Sequence, residues 1–362
     1  MSNAKAAAFA AALAAVALGF VGTRAVSAGN IPEQPARVVA VVPAPPSEAE
    51  AMEDLRGAIA APDKESYVGR VQTVEYGSSH SDASVYRIEH RAPILTRRWY
   101  LAPQSLYGDQ IISRGDTTYN IDVRHKKIII SRDDAIDDQV AIDDNFALLK
   151  KNYRAIPAPD ETLAGRPVEA IVLVNRYTGQ TVMRIWIDAG TRLVVQKERY
   201  AANGAVTYST RFEQIRFTNS IPREVFDVPQ SGYDRTQGPS HGLPSNDLQA
   251  VVRAAGFQAK GPKYLPEGFV PVAGDVADIK GVRTVHLLYS DGIRTVSLFE
   301  NAGGATVDMS KYSAHSTKVE NDDAQYVETG ATTLLAWGRD ALHYTLVGEL
   351  SREELVRIAA SV

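Results

Sequence analysis

The residues best equipped for acid–base or metal chemistry are seven histidines, His80, His90, His125, His241, His286, His315 and His343, in a chain without cysteine. Zinc and zincin sites need imidazoles that share a face, and none of these stands four residues from another; no HExxH string occurs. A zinc site assembled by the fold from scattered residues stays open, with surface or capped core histidines as the plain reading. The run Asp133-Asp134, Asp137-Asp138, Asp143-Asp144 has the hard oxygens that calcium prefers. It lacks the Asp-x-Asp-x-Asp-Gly loop and closing glutamate, so it reads as a solvated acidic loop. No GxSxG elbow and no ordered serine–histidine–aspartate signature appears. No phosphate-cradling GxxxxGK loop or GxGxxG is present either. The cluster Arg97-Arg98-Trp99-Tyr100 mixes charge with rings as nucleic-acid binders do. In an acidic exported chain an anionic-lipid contact fits it better, and an ordinary edge strand fits it best. The expectation is therefore a binding protein rather than an enzyme, with no cofactor, no metal and no nucleic-acid partner.

The ends and the composition bound where such a protein works. Lys5, the uncharged run Ala6 to Gly22 and the small residues Val26-Ser27-Ala28 read as an export signal over residues 1–28, cut after Ala28. Retention of the apolar run as an inner-membrane anchor is the alternative, because its length approaches the roughly 20 residues of a spanning helix. Without cysteine there is no disulfide, no catalytic thiol and no lipidated cysteine. The formal net charge of −4 implies no nonspecific attraction to nucleic acid. The expected location is the periplasm, as a protein soluble after signal cleavage. The chain length predicts two domains, each able to bury a core.

The elements follow from periodicity. Pro32, Pro35, Pro43, Pro45 and Pro46 keep residues 29–46 extended as a tether. Ser47 and Glu50 form a capping box ahead of Met52, Leu55 and Ile59, and Pro62 marks the stop. From Tyr67 the period becomes alternating. Strands are predicted over Tyr67–Tyr76, Ser84–Arg91, Arg97–Leu101, Gln110–Ser113, Thr117–Asp122 and Lys127–Arg132, with short polar turns that argue for antiparallel neighbours. A short helix over Asn145–Tyr153 precedes strands at Val168–Val174, Val182–Asp188, Leu193–Tyr200, Val206–Phe212 and Ile215–Phe217. Residues 47–228 form the first domain and residues 229–246, rich in Gly, Pro and Ser, a linker. Residues 247–362 form the second domain. It holds a helix over Asp247–Ala255, strands around Val282–Tyr289, Thr295–Phe299, Thr333–Trp337 and His343–Val347, and a closing helix capped by Ser351 and Glu354.

Specific strings then carry a resemblance. Leu163-Ala164-Gly165-Arg166-Pro167-Val168 with Ile171-Val172-Leu173 resembles the entry to a strand in LolA-like lipoprotein-carrier domains. Arg184-Ile185-Trp186-Ile187-Asp188, then Thr191 and Leu193, resembles the strand, turn and strand that follow, and Phe212, Ile215 and Phe226 continue it. Leu265-Pro266-Glu267-Gly268-Phe269, His286 to Gly292 with Val296 to Phe299, and Tyr344 to Leu350 resemble the C-terminal domain of RseB/MucB proteins. The order of pieces matches as well, over nearly all of the mature chain. The resemblance implies an α+β fold, mostly antiparallel β. It would comprise a LolA-like unclosed half-barrel with helices in its mouth, followed by a smaller α+β domain. It implies a periplasmic regulator that binds the extracytoplasmic segment of a membrane-spanning anti-sigma factor and senses lipid or envelope stress through a hydrophobic groove. A periplasmic lipid or lipoprotein carrier is the alternative, though a simple carrier does not need the second domain. An apolar groove would bury an acyl chain at about 0.8 kcal/mol per CH2. Its candidate lining is Trp99, Leu101, Tyr119, Ile121, Met183, Ile185 and Ile187, with plain core packing as the competing reading for each. The second domain would offer partner contacts, for instance by taking an extended peptide at a sheet edge.

Overall fold

The computed structural model describes residues 47–77, 81–132, 146–238, 245, 247–279, 281–303, 307, 309, 314–329 and 332–362. The segments expected to be an export signal and a tether, His80, His241 and the acidic run 133–144 lie outside the described residues.

Helix α1 (Glu48–Ala60) begins as its sequence dictates. The Glu50 amide donates to Ser47 Oγ at 3.3 Å and the Ser47 amide donates to Glu50 Oε2 at 2.6 Å, which satisfies two amides that a helix start would otherwise orphan. Its buried stripe is Ala51, Met52, Leu55 and Ala58, three and four residues apart as a helix packed on one side requires.

Two meanders then build a twelve-stranded sheet. The first is β1 (Tyr67–Tyr76), β2 (Ser81–Arg91), β3 (Leu95–Ala102), β4 (Gln110–Arg114), β5 (Thr117–Asp122) and β6 (Lys127–Arg132). After α2 (Phe146–Asn152) come β7 (Tyr153–Leu163), β8 (Arg166–Asn175), β9 (Thr181–Asp188), β10 (Val194–Tyr200) and β11 (Val206–Phe217). The meanders meet where β1 pairs antiparallel with β11, Tyr67 opposite Phe217. Strand order runs linearly, β12-β6-β5-β4-β3-β2-β1-β11-β10-β9-β8-β7, so the sheet does not close on itself. Strand β7 was not evident in the sequence because Pro157 and Pro159 interrupt it; it survives as the last strand of the sheet, where a missing ladder donor costs little. The segment expected to be a plain linker holds β12 (Asp234–Gln237), which runs parallel to β6.

Opposite ends of this sheet bury opposite faces. Cα partners share a face, so Trp99 aligns through Arg87 with Arg70, while Ile185 aligns through Lys197 and Thr210 with Thr73. On β1, Arg70 and Thr73 are an odd number of residues apart and point to opposite sides. One face, over β4 to β6, is roofed by Ile221, Phe226 and Val228, which pack on Ile112, Ile121 and Ile128. The other face, over β7 to β9, is covered by α1.

The second sheet is wholly antiparallel: β13 (Val270–Ile279), β14 (Val282–Ser290), β15 (Thr295–Asn301), β16 (His315–Val319), β17 (Asp322–Thr329), β18 (Thr332–Arg339) and β19 (Leu342–Gly348). Its order is β13-β14-β15-β19-β18-β17-β16. Helices α3 (Leu248–Ala254) and α4 (Arg352–Ala360) cover one face. Val251, Leu355 and Ile358 pack there on Leu287, Leu298, Leu335 and Leu346. Ser351 caps α4 by accepting the Glu354 amide at 3.3 Å.

Among these apolar residues sits Glu300, fully buried. The Lys260 amide donates to its Oε2 at 2.8 Å, and its Oε1 has no partner. Burial pushes this carboxyl up to about 7, against the opposing pull of the Lys260 amide and charge. The folded state thus keeps a proton that the unfolded chain releases near its ordinary value of 4.5. The stability linked to this proton is complete below that value and is lost as pH rises through about 7. Urea titrations at pH 5 and pH 8 should differ by up to about 3 kcal/mol in favour of pH 5. Glu75 is raised to the same range by burial, so Glu300→Gln should remove only the share of the slope that Glu300 contributes, and an unchanged slope in the variant would show that Glu300 contributes none.

Candidate binding site

The seven candidate groove residues do not form one surface. Ile121 is buried, and Tyr119 packs beside it under Phe226 and Val228. Trp99 shares their face through Gln110, half-buried beneath the Arg97 guanidinium at 5.7 Å from the ring centre. Leu101 is the extra residue of a bulge, between the pairs Val85–Ala102 and Tyr86–Tyr100. Met183, Ile185 and Ile187 lie across the sheet from these, buried with Met52 and Leu55 of α1. A single groove built from all seven is therefore corrected to two separate sets. The sequence showed which residues were apolar, but not which face each strand turned toward α1.

Only the second set belongs to the α1-covered face, and that face continues into a surface the sequence did not reveal. Beyond α1 it carries Lys197, Arg199, Tyr208, Thr210, Thr73, Glu75, Tyr86 and Tyr100, all half-buried. Tyr86 and Tyr100 lie 5.6 Å apart, and the Arg98 guanidinium stands 5.9 Å from the Tyr86 ring centre. Burial, reinforced by Asp82 and opposed by Arg199, pushes the Glu75 carboxyl up to about 7. The face is thus apolar under α1 and aromatic with mixed charge beside it. Such a surface suits a molecule with a greasy part and a polar end.

The second sheet docks onto this same side through the turn between β14 and β15. Ile293 packs against the α1 cluster next to Leu149. Asp291 is fully buried; its Oδ2 accepts from Tyr153 Oη at 2.6 Å and from Arg294 Nε at 2.9 Å, while its Oδ1 accepts the Ile293 and Arg294 amides. Asn152, also fully buried, donates from Nδ2 to Gly268 O and Asp291 O, each at 2.9 Å. Tyr177 Oη donates to Asn152 Oδ1 at 3.0 Å. An ion pair between Arg199 and Glu349 makes a second contact. Three of the strings that carried the resemblance, Leu265 to Phe269, His286 to Gly292 and Tyr344 to Leu350, therefore hold residues that touch the first sheet. In sequence they read only as strands and turns.

One polar row on the second sheet has the connectivity of an acyl-transfer triad. His286 Nδ1 lies 3.2 Å from Asp275 Oδ1 and His286 Nε2 lies 3.0 Å from Ser297 Oγ, with Phe299 stacked on the imidazole at 4.4 Å. Acyl transfer also needs donors aimed at the developing oxyanion. Ser297 sits inside β15, paired to Leu288 on one side and Val347 on the other, so the ladders consume the local amides. The row pins three strands together. His90 is likewise held within the core, with Nδ1 2.8 Å from Thr96 Oγ1 and Nε2 2.8 Å from Pro62 O. Among the described residues no group of three His, Cys, Asp or Glu could hold a metal ion, and no helix is long and apolar enough to cross a membrane.

Comparison with known proteins fits this geometry. Residues 60–230 match the family described as MucB/RseB N-terminal domain. The Sigma-E factor regulatory protein RseB of Salmonella typhimurium (strain 14028s / SGSC 2262) is 24% identical over 221 residues, 60% of this chain and 61% of that protein's own length. In the complex structure of Pseudomonas aeruginosa MucA/MucB, a chain covered over 98% of its length aligns with 86% of this one at TM-score 0.58 and 16% identity. The chain is RseB/MucB-like. A second structure, MucB in complex with MucA(peri), aligns over 86% of this chain and 97% of its own at TM-score 0.55 and 16% identity. At such identities the likeness is one of fold, and it extends through both sheets of the RseB/MucB-like chain. Residues 260–362 match a family described only as a domain of unknown function, DUF4367. The mostly antiparallel α+β architecture with an unclosed first sheet is the one the resemblance implied.

Proposed function

We propose that this RseB/MucB-like chain is a periplasmic binding regulator, without catalysis of its own, that holds the extracytoplasmic segment of a membrane-spanning anti-sigma factor. The observation that carries this reading is the alignment of both sheets, not the first alone, with MucB as it stands in its complex with MucA. A carrier of cargo needs only the first sheet. Here a turn of the second is built into the wall of the first, as a protein that reports on its own occupancy requires. The ligand sensed is an acyl-bearing molecule on the α1-covered face. Met183, Ile185 and Ile187 receive its chain when α1 lifts, and Tyr86, Tyr100, Arg98 and Lys197 face its polar end. Trp99, Leu101, Tyr119 and Ile121 take no part.

Isothermal titration of residues 47–362 with the extracytoplasmic segment of the anti-sigma factor from the same genome tests the reading. Micromolar or tighter binding is expected, weakened at least tenfold by lipopolysaccharide or a diacyl lipopeptide. Absence of binding overturns it. Binding indifferent to both amphiphiles overturns the sensing part alone.

A further inference from the structure

One edge of each sheet, β6 in the first and β13 in the second, is met by the connection between the sheets. From Asp234 to Gln237 it lies along β6, and at Ser245 it bridges to Gly274 of β13, with N–H···O distances of 2.8 and 2.9 Å in the two directions. The hold on β6 is slight. All four residues of β12 are exposed, so it buries no side chain there. Its attachment is by backbone: the Asp234 amide donates to Lys126 O at 2.8 Å and the Gly238 amide donates to Ile130 O at 2.7 Å. It is also the single parallel pair among the described strands, and parallel ladders are somewhat weaker per residue than antiparallel ones.

Strand β6 itself is firmly placed, with Ile128 fully buried. Its outward-facing Ile129 is 41% exposed although β12 lies alongside. The end of the strand where pairing begins is basic: Arg124, Lys126 and Lys127 are exposed, and Asp234 stands opposite Lys127.

We propose that the outer edge of β6 is a strand-addition site for an extended, acid-bearing segment of the anti-sigma partner, and that β12 is its built-in, displaceable occupant. This rests on the partner reading given above. An incoming segment running antiparallel would gain the better ladder geometry, place a carboxylate at Lys127 and cover Ile129, none of which costs β12 a buried contact. Pairing with sheet edges by extended peptides is a common recognition mode. Displacing β12 frees the connection that also bridges to β13, so partner binding at this edge loosens the tether between the two sheets.

The absence of cysteine makes a clean test available. Ile129 and Thr236 are direct Cα partners, and both side chains are exposed, so Ile129→Cys with Thr236→Cys places a thiol pair that oxidation closes without touching a core. Synthetic peptides tiling the extracytoplasmic segment of the anti-sigma factor are the probe. The reduced double variant should bind as the unmodified chain does. The oxidised form should lose at least tenfold in affinity, restored by dithiothreitol. A second variant moves the other way. Ladder alternation between the Asp234 and Gly238 bonds gives the Thr236 amide to β6, so Thr236→Pro removes a donor and should raise peptide affinity several-fold. Equal binding by oxidised and reduced forms, or no gain in the proline variant, overturns the edge site while leaving the partner reading intact. No binding by the unmodified chain overturns that reading and the edge site with it.

Discussion

Asp291→Ala is expected to destabilise the folded chain by about 3–5 kcal/mol, the cost of removing one partner from a buried ion pair. Asp291 accepts from the Tyr153 hydroxyl, the Arg294 guanidinium and two amides of its own turn. Removing its carboxylate leaves Arg294, whose side chain is 26% exposed, without its counter-charge, and takes from the buried Tyr153 hydroxyl the carboxylate it donates to. Urea unfolding would measure the loss. Tyr153→Phe should cost about 1–3 kcal/mol alone, because it deletes one hydrogen bond to a charged group. Little further loss is expected when it is added to Asp291→Ala, since the two act through the same bond. Additive losses would mean that the two residues stabilise different things and that the joint between the sheets is not held by their contact.

The second large effect should come from a single methyl group. Gly292 has φ of +99° and sits against the α2 backbone: a Cβ there would lie 2.5 Å from the Leu149 amide nitrogen and 2.8 Å from its Cα. Side chains rarely adopt this φ, and main chain cannot rotate out of the way. Gly292→Ala is therefore expected to undock the turn, taking Ile293 out of the α1 cluster, rather than to unfold the second sheet, whose core lies elsewhere. Hydrogen exchange should show protection lost at α2, the start of β7 and the β14–β15 turn by at least tenfold, with β18 and β19 unchanged. Uniform loss across the second sheet would contradict that picture. Protection like that of the unmodified chain would show that the close approach is not maintained in solution.

How much of this was legible in the sequence depends on the range over which each decision is made. Local choices were: the capping box at Ser47 and Glu50, and strands Tyr67–Tyr76, Thr117–Asp122 and Lys127–Arg132, stand where alternation and turn residues put them. What failed was set by distant partners. Residues 153–163 became a strand despite two prolines because β8 offers an edge to pair with. The supposed linker became β12 because β6 had a free edge. The lining residues scattered because Trp99 and Ile185 align with Arg70 and Thr73, three residues apart on β1, a register that distant pairings set; Leu101 alone is displaced by a bulge, which no periodicity count foresees. The joint was the deepest surprise. Asn152 and Tyr153 close a short amphipathic helix in sequence terms, yet their side chains serve the other sheet 116 and 138 residues away.

The seam where β1 meets β11 has a consequence for how the protein comes into being. Tyr67 waits for Phe217, so the middle of the first sheet stays open until a chain delivered amino terminus first has supplied its eleventh strand. Until then the six strands of the first meander present one raw flank at β1 and another at β6, both open to wrong partners. Pairings so distant in sequence make assembly slow. A newly made molecule should therefore spend its most vulnerable interval as a half-built meander.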